Sequence, residues 1–124
     1  DLLSFVKGIC FDHLGVFIYS DFKDLRSHSL PDHIPEHVAK NRQDTLMSCQ
    51  SKISLNNNQK HIGRIYDVLV ENTTEENLFN GRTFFQAPDV DGITYIHSEQ
   101  LEIGSFVGVR VAEALEYDLT GKMV

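Results

Sequence analysis

From Ile62 to Val124 apolar and polar positions alternate in short runs, the period of two that a half-buried strand requires. Tyr66, Val68 and Val70 share one face of a run over 62–70, and a polar tip, Asn72–Asn77, separates it from a second run through Phe79 to Phe85. Asp91-Gly92 precedes a third run, Ile93–His97. Gly104 precedes a fourth, Phe106–Ala114, in which Val107, Val109 and Val111 face the same way. Tyr117, Leu119, Gly121 and Met123 alternate in a fifth. Five short strands in so few residues predict a small closed antiparallel barrel, with the three valines inside, rather than a sandwich.

Residues 1–60 carry a different rhythm. Leu2, Leu3, Phe5, Val6 and Ile9 recur at helical spacing, with Gly8 as the stop. Val16-Phe17-Ile18-Tyr19 is continuously apolar and rich in β-formers, which suits a strand buried on both faces. Helix, buried strand and polar loop make one unit of an α/β domain, and one unit cannot fold alone. This strand is therefore expected to pair with a second copy, to pack under the next helix, or to stay unordered. That next helix is announced by Pro31-Asp32-His33-Ile34-Pro35-Glu36. Pro35 suits the first helical position, and Asp32 and Glu36 suit the positive end of the helix dipole. It runs to about Asn57 and ends in Asn56-Asn57-Asn58. Its apolar stripe, Val38, Thr45, Leu46, Cys49 and Ile53, is narrow, as in a connector lying across a surface. The predicted fold is mainly β: an α/β remnant (1–30), a connector helix (31–60) and a five-stranded barrel (61–124).

Charge changes the picture of the barrel. Residues 61–124 hold four Lys or Arg against eleven Asp or Glu, a balance of −7, whereas residues 1–60 hold seven of each. Such a module is repelled by phosphate backbones and attracted to basic proteins. No apolar run approaches the roughly 20 residues of a membrane helix. The chain opens on Asp1, with neither an initiator Met nor a signal-like stretch, and so reads as a piece of a longer cytoplasmic protein. Two cysteines, Cys10 and Cys49, are too few for a disulfide framework or a zinc site and read as reduced thiols.

Candidate chemistry is sparse. His33 and His37 stand one helical turn apart, a metal-binding spacing, with no third ligand in the pattern. Tyr19 and Ser20 end the apolar run, where α/β-barrel enzymes place cofactor-contacting groups; packing at a strand end is the alternative role. Arg64, Arg82 and Arg110 are candidates for phosphate contact, and Phe84, Phe85 and Tyr95 for base stacking. Against eleven acids the arginines read better as ion-paired surface residues. Asp89 and Asp91 flank a turn ending in Gly92 and serve either its geometry or an acidic surface. The expected docking face for a Lys/Arg-rich partner comprises Glu71, Glu75, Glu76, Asp89 and Asp91, with Arg82 among them.

Several motifs together carry a family resemblance. Ile62-Gly63-Arg64 leading into Val68-Leu69-Val70-Glu71, then Gly81-Arg82-Thr83, then Gly104 before Val107–Val111, resembles a TRAM domain, an OB-like five-stranded barrel appended to RNA-modifying enzymes. Ala87-Pro88-Asp89-Val90-Asp91-Gly92 and Glu116-Tyr117-Asp118-Leu119 with Gly121 are similar to the TRAM domain of the RimO family of radical-SAM methylthiotransferases. Phe11-Asp12, Leu14-Gly15-Val16-Phe17 and Tyr19-Ser20 resemble a late strand of that family's catalytic barrel, and Leu30–Glu36, Arg42 and Leu46-Met47 its connector. The chain departs where the family runs Pro-Glu-Glu-Gly-Thr and this sequence has Asp21-Phe22-Lys23-Asp24-Leu25-Arg26. It departs again where Ile103-Gly104-Ser105 replaces Pro-Gly-Asp. The resemblance implies a parent enzyme that methylthiolates an aspartate β-carbon of a basic small-subunit ribosomal protein, using two 4Fe-4S clusters and S-adenosylmethionine. The three-Cys loop of such chemistry is absent from this sequence, so the fragment is expected to bind no cofactor, to be inactive alone, and to dock the substrate. An RNA-binding TRAM module of a tRNA methylthiotransferase and a purely structural barrel are the competing readings.

Overall fold

A computed structural model describes residues 1–124. Helix α1 (Leu2–Ile9), a 3-10 turn (Arg26–Ser29) and helix α2 (Glu36–Gln59) precede five strands. These are β1 (Ile65–Glu75), β2 (Leu78–Arg82), β3 (Thr94–His97), β4 (Phe106–Ala114) and β5 (Leu119–Met123). The strands close in the order β1-β2-β3-β5-β4, β4 pairing back onto β1, so the chain is mainly β with the OB-like barrel its sequence predicts. The pairing is not antiparallel throughout: β3 and β5 run parallel, Thr94 opposite Leu119 and His97 opposite Lys122. Five strands cannot alternate in direction all the way round a closed ring, so at least one pair has to be parallel.

Alternation along each strand sends one set of side chains inward. Val68, Val70, Ile96 and Val109 are fully buried and form the core, with Phe79, Leu101 and Val107 packed against it. Val109 and Val111 are thus inside, while Val107 sits half-buried at the rim of the core. Burial of each such side chain stabilises the barrel by about 1.5–3 kcal/mol. Gly81 lies opposite Val70, and a Cβ there would stand 2.2 Å from the Leu69 carbonyl oxygen and 2.8 Å from Val68 Cγ1. β1 and β2 approach that closely only because this inward position has no side chain.

Boundaries shift where side chains compete for backbone groups. β1 runs through most of the predicted polar tip to Glu75, and the reversal is Glu76-Asn77, with Asn77 at φ 61°. β2 stops at Arg82, leaving Phe84 and Phe85 outside the sheet. The cause is Gln86, whose buried Oε1 accepts the Thr83 N–H at 3.0 Å and so takes it from the ladder.

The first 60 residues depart further from expectation. Helix α1 continues through Gly8 and ends at Cys10, which takes the left-handed φ of 57°. The run Val16–Tyr19 forms no strand, since no neighbouring strand supplies a ladder, and it is the carbonyls of Val16 and of the residues before it that find partners. Those partners lie on α2. Gln43 Nε2 donates to the Val16 carbonyl at 2.8 Å, and Gln50 Nε2 to the Phe11 carbonyl at 2.6 Å. Ser54 Oγ donates to the Asp12 carbonyl at 2.8 Å, and Asn57 Nδ2 to the Cys10 carbonyl at 3.1 Å and Asp12 Oδ1 at 2.9 Å. Gln43, Gln50, Ser54 and Asn57 recur at helical spacing, so the packed face of α2 is a polar stripe with Leu46 embedded in it. Of the predicted apolar stripe only Leu46 is buried. Pro35 caps the helix with ψ 144° instead of entering it, and the helix runs two residues past Asn57. At its end Asn58 Nδ2 donates to the carbonyls of Leu115 and Glu116 at 3.0 and 3.3 Å, which fixes the helix on the β4–β5 turn.

Candidate docking site on the barrel

The outward face of β2-β1-β4 carries the surface best equipped to bind something. In register, Arg82, Leu69 and Phe106 form one row, Asp67 stands opposite Gly108, and Ile65 opposite Arg110. With Tyr66, Thr83 and Phe84 the first of these line a surface groove whose walls are Ile65, Leu69, Phe84 and Phe106. Phe84 is 87% exposed and Phe106 70% exposed. Two phenylalanines this open on a small barrel are unusual, because burying either would stabilise the fold by about 1.5–3 kcal/mol.

The loop after β2 is rigidly built and explains why Phe84 points outward. Gln86 Oε1 accepts from Thr83 Oγ1 at 3.2 Å and Thr94 Oγ1 at 2.8 Å as well as from the Thr83 amide. Asp91 Oδ2 accepts the Ala87 N–H at 2.8 Å, and Asp118 Oδ1 the Ile93 N–H at 2.9 Å. At Gly92 an added Cβ would fall 1.6 Å from the Tyr117 carbonyl oxygen, so only glycine fits. Phe85 turns the other way and stacks on His61, ring centroids 4.6 Å apart at 11°, while Tyr66 meets both edge-on. His61 Nδ1 lies 2.7 Å from the Tyr66 hydroxyl. Burial in this stack, then the nearby Arg64 charge, push the His61 pKa below 6.5, so the neutral ring is favoured and Nδ1 can accept the tyrosine proton.

The predicted docking acids do not form one patch. Glu75 and Glu76 occupy the β1–β2 reversal at one end of the barrel, and Asp89 and Asp91 lie beyond the other end of β2. That strand separates them by roughly 16 Å. Asp91 is spent on its own loop and stands 3.8 Å from His13 of the N-terminal segment. Asp89, at φ 60°, forms the turn. Glu71 holds Arg82, Nε to Oε1 at 2.7 Å. Glu99, which the pattern did not single out, follows Ser98, whose N–H donates to the Asn77 carbonyl at 3.2 Å beside Glu75 and Glu76, while the same loop returns along β1, Gly104 N–H to Val70 O at 2.7 Å.

The arginines separate as well. Arg82 is paired, Arg110 Nη1 donates to the Gly63 carbonyl at 3.1 Å, and Arg64 lies with Asp12, Asn57, Lys60 and His61 beside the helix end. Of the three stacking candidates only Phe84 lines the groove, since Phe85 is engaged with His61 and Tyr95 stands on β3 opposite Asn80 and Thr120. Asp67 and Phe106, the other groove residues with distinctive chemistry, were invisible in the pattern. Their placement depends on β1–β4 register, which no local signal encodes.

Upstream, Tyr19 Oη donates to Asp21 Oδ1 at 3.1 Å and lies 2.7 Å from Ser27 Oγ, while His28 Nδ1 lies 2.8 Å from Asp21 Oδ2. The His28 contact, aided by Tyr19 and opposed by burial, lowers the Asp21 pKa below 3.8. Ser20 borders a surface cavity together with Tyr19, Asp21, Ser27 and His33. His33 turns its Nε2 to the His28 carbonyl at 3.1 Å, and Cys10 Sγ donates to the Lys7 carbonyl at 3.1 Å. These contacts are local and knit the segment to itself.

Comparison with known proteins places this geometry. The TRAM domain family matches residues 62–124. Over 124 residues the chain is 45% identical to the ribosomal protein uS12 methylthiotransferase RimO of Clostridioides difficile (strain 630), covering 99% of this chain and 28% of that protein. The enzyme of the same name from Syntrophotalea carbinolica is 46% identical over 125 residues, covering 99% of this chain and 28% of its own. That from Thermus thermophilus is 37% identical over 121 residues, covering 97% and 28%. The chain spans just over a quarter of the length of the curated relatives it matches.

Proposed function

The chain belongs to the TRAM-domain family, and from that premise we propose that it is the C-terminal portion of a RimO-type methylthiotransferase. The observation that carries this reading is the reach of the similarity. At 45% identity it covers 99% of the chain, through the N-terminal segment and connector helix as well as the barrel. In this reading residues 1–30 end the catalytic barrel, 31–60 connect, and 61–124 are the TRAM domain. The whole protein transfers a methylthio group to an aspartate β-carbon of a small-subunit ribosomal protein in the cytoplasm. Two 4Fe-4S clusters and S-adenosylmethionine would supply the sulfur and radical chemistry. A cluster of that kind takes three thiolates, and this chain has only Cys10, at the end of α1, and Cys49, within α2. The donor set does not fit, so the clusters belong to residues outside these 124 and the fragment alone is inactive.

Its own task is to hold the substrate. The −7 balance of residues 61–124 attracts a basic ribosomal protein and repels RNA, and Glu71 offsets the charge of Arg82 on the barrel face. The decisive measurement is association of the 124-residue chain with ribosomal protein uS12 and with tRNA across a salt series. We expect uS12 to bind more tightly, with a rate that falls as salt shortens the screening length. Glu75→Lys with Glu76→Lys, both exposed at the barrel tip, should slow that association about ten-fold. Tighter binding of tRNA at moderate salt, binding to neither, or a reversal without effect on the rate would each overturn the reading.

A further inference from the structure

We infer that the groove on the outer face of β2-β1-β4 is a seat for an arginine side chain of a protein partner; this deepens the docking reading and rests on it. Three observations on one surface converge. The lining is largely apolar, Ile65 and Leu69 with the exposed rings of Phe84 and Phe106, which fits the aliphatic stem and flat cation of arginine. The floor holds Asp67, an exposed carboxylate that forms no ion pair within 4.0 Å and accepts no hydrogen bond, and so is free for a guanidinium. The one cation lining the groove, Arg82, is held by Glu71 at 2.7 Å, so the groove keeps one uncompensated negative charge.

That charge selects among occupants. A nucleic-acid base could stack on Phe84, but its phosphate would meet Asp67, and the charge of the one arginine lining the groove, Arg82, is already matched by Glu71. A purely apolar segment would bury Asp67 unpaired. Arginine meets both demands at once, stacking on an aromatic face while offering paired N–H donors to the carboxylate; lysine supplies the charge without the planar fork. Gln86 and Asp91 hold the backbone on either side of Phe84, and its ring meets Tyr66 and Phe85 edge-on, which reduces the ordering cost of binding.

The test is a nuclear magnetic resonance titration of the 124-residue chain with the capped peptide Gly-Arg-Gly-Arg-Gly and its lysine counterpart, at fixed moderate salt. Shifts should concentrate at Asp67, Leu69, Arg82, Phe84 and Phe106, with the arginine peptide binding more tightly. Phe84→Ala and Asp67→Asn should each raise Kd about two- to five-fold. Glu113→Gln, which removes an equal charge from an exposed position outside the groove, should leave it unchanged. Circular dichroism confirms that each variant is folded. Equal loss in Glu113→Gln, or shifts spread over the acidic tip, would mean a diffuse field only; the groove is then no seat, although the docking reading survives. Displacement of the peptide by a tighter-binding uridine oligonucleotide at the same residues would overturn both.

Discussion

The barrel and the N-terminal segment are held by opposite physics. Of the 15 buried residues only Val6 precedes Leu46, and the barrel supplies the apolar centre through Val68, Val70, Ile96 and Val109. The segment from Cys10 to Val16 is held by side-chain amides and a hydroxyl of α2 bonding its carbonyls, with Phe17, Tyr19 and Phe22 left largely exposed. Burial is collective and non-directional, so a core tolerates motion at its rim. A ladder of single hydrogen bonds is directional, each contributing about 1 kcal/mol, and can be released one rung at a time. The difference teaches that stability in this molecule resides in the barrel, while the segment takes its shape from the helix beneath it.

The sharpest way to break the contrast is to hollow the barrel. Ile96→Ala should cost about 2–5 kcal/mol, measured by urea unfolding, because its fully buried side chain leaves a cavity among the core valines. A loss below about 1 kcal/mol would mean that the core is not where the stability lies.

Removing one rung on the other side should act locally. Gln50→Leu deletes the donor to the Phe11 carbonyl and to Ser54 Oγ at no great change of volume. Tryptic cleavage at Lys23 and Arg26 should accelerate about ten-fold, with the barrel's unfolding midpoint unmoved. Unchanged cleavage, or a fall in barrel stability, would show that the segment and barrel are one cooperative unit.

The smallest effect concerns the junction between them, where His61 stacks on Phe85. Its pKa lies below 6.5 in the folded chain. Above that value the ring is neutral folded or unfolded. As pH falls, the unfolded chain takes the proton first, and the stability held by the neutral ring is lost as pH passes through the folded value. Lowering pH from about 7.5 to about 5 should therefore reduce the melting temperature by a few degrees. His61→Phe keeps an aromatic stack without a titrating group and should flatten that slope. An equal slope in the variant would remove His61 as its source. Asp21 acts in a separate window, its stabilisation being lost only as pH falls below 3.8.

The alternation in residues 62–124 determined the strands, the inward set that holds Val109 and Val111, and the barrel class, because a period of two is a local property readable from neighbours. The charge balance and the turn at Asp91-Gly92 were equally plain in the chain, although the Tyr117 carbonyl that excludes a side chain at Gly92 was not. Tertiary structure alone decided the rest. Ring closure with five strands imposed the parallel β3–β5 pair. Non-local register brought Asp67, Phe84 and Phe106 to one groove and set Glu75 and Asp89 at opposite ends of β2. The polar stripe of α2 escaped notice because glutamine, serine and asparagine at helical spacing read as a solvated face. They became a packing surface only once the carbonyls of residues 10–16, without a strand to pair with, lay against them.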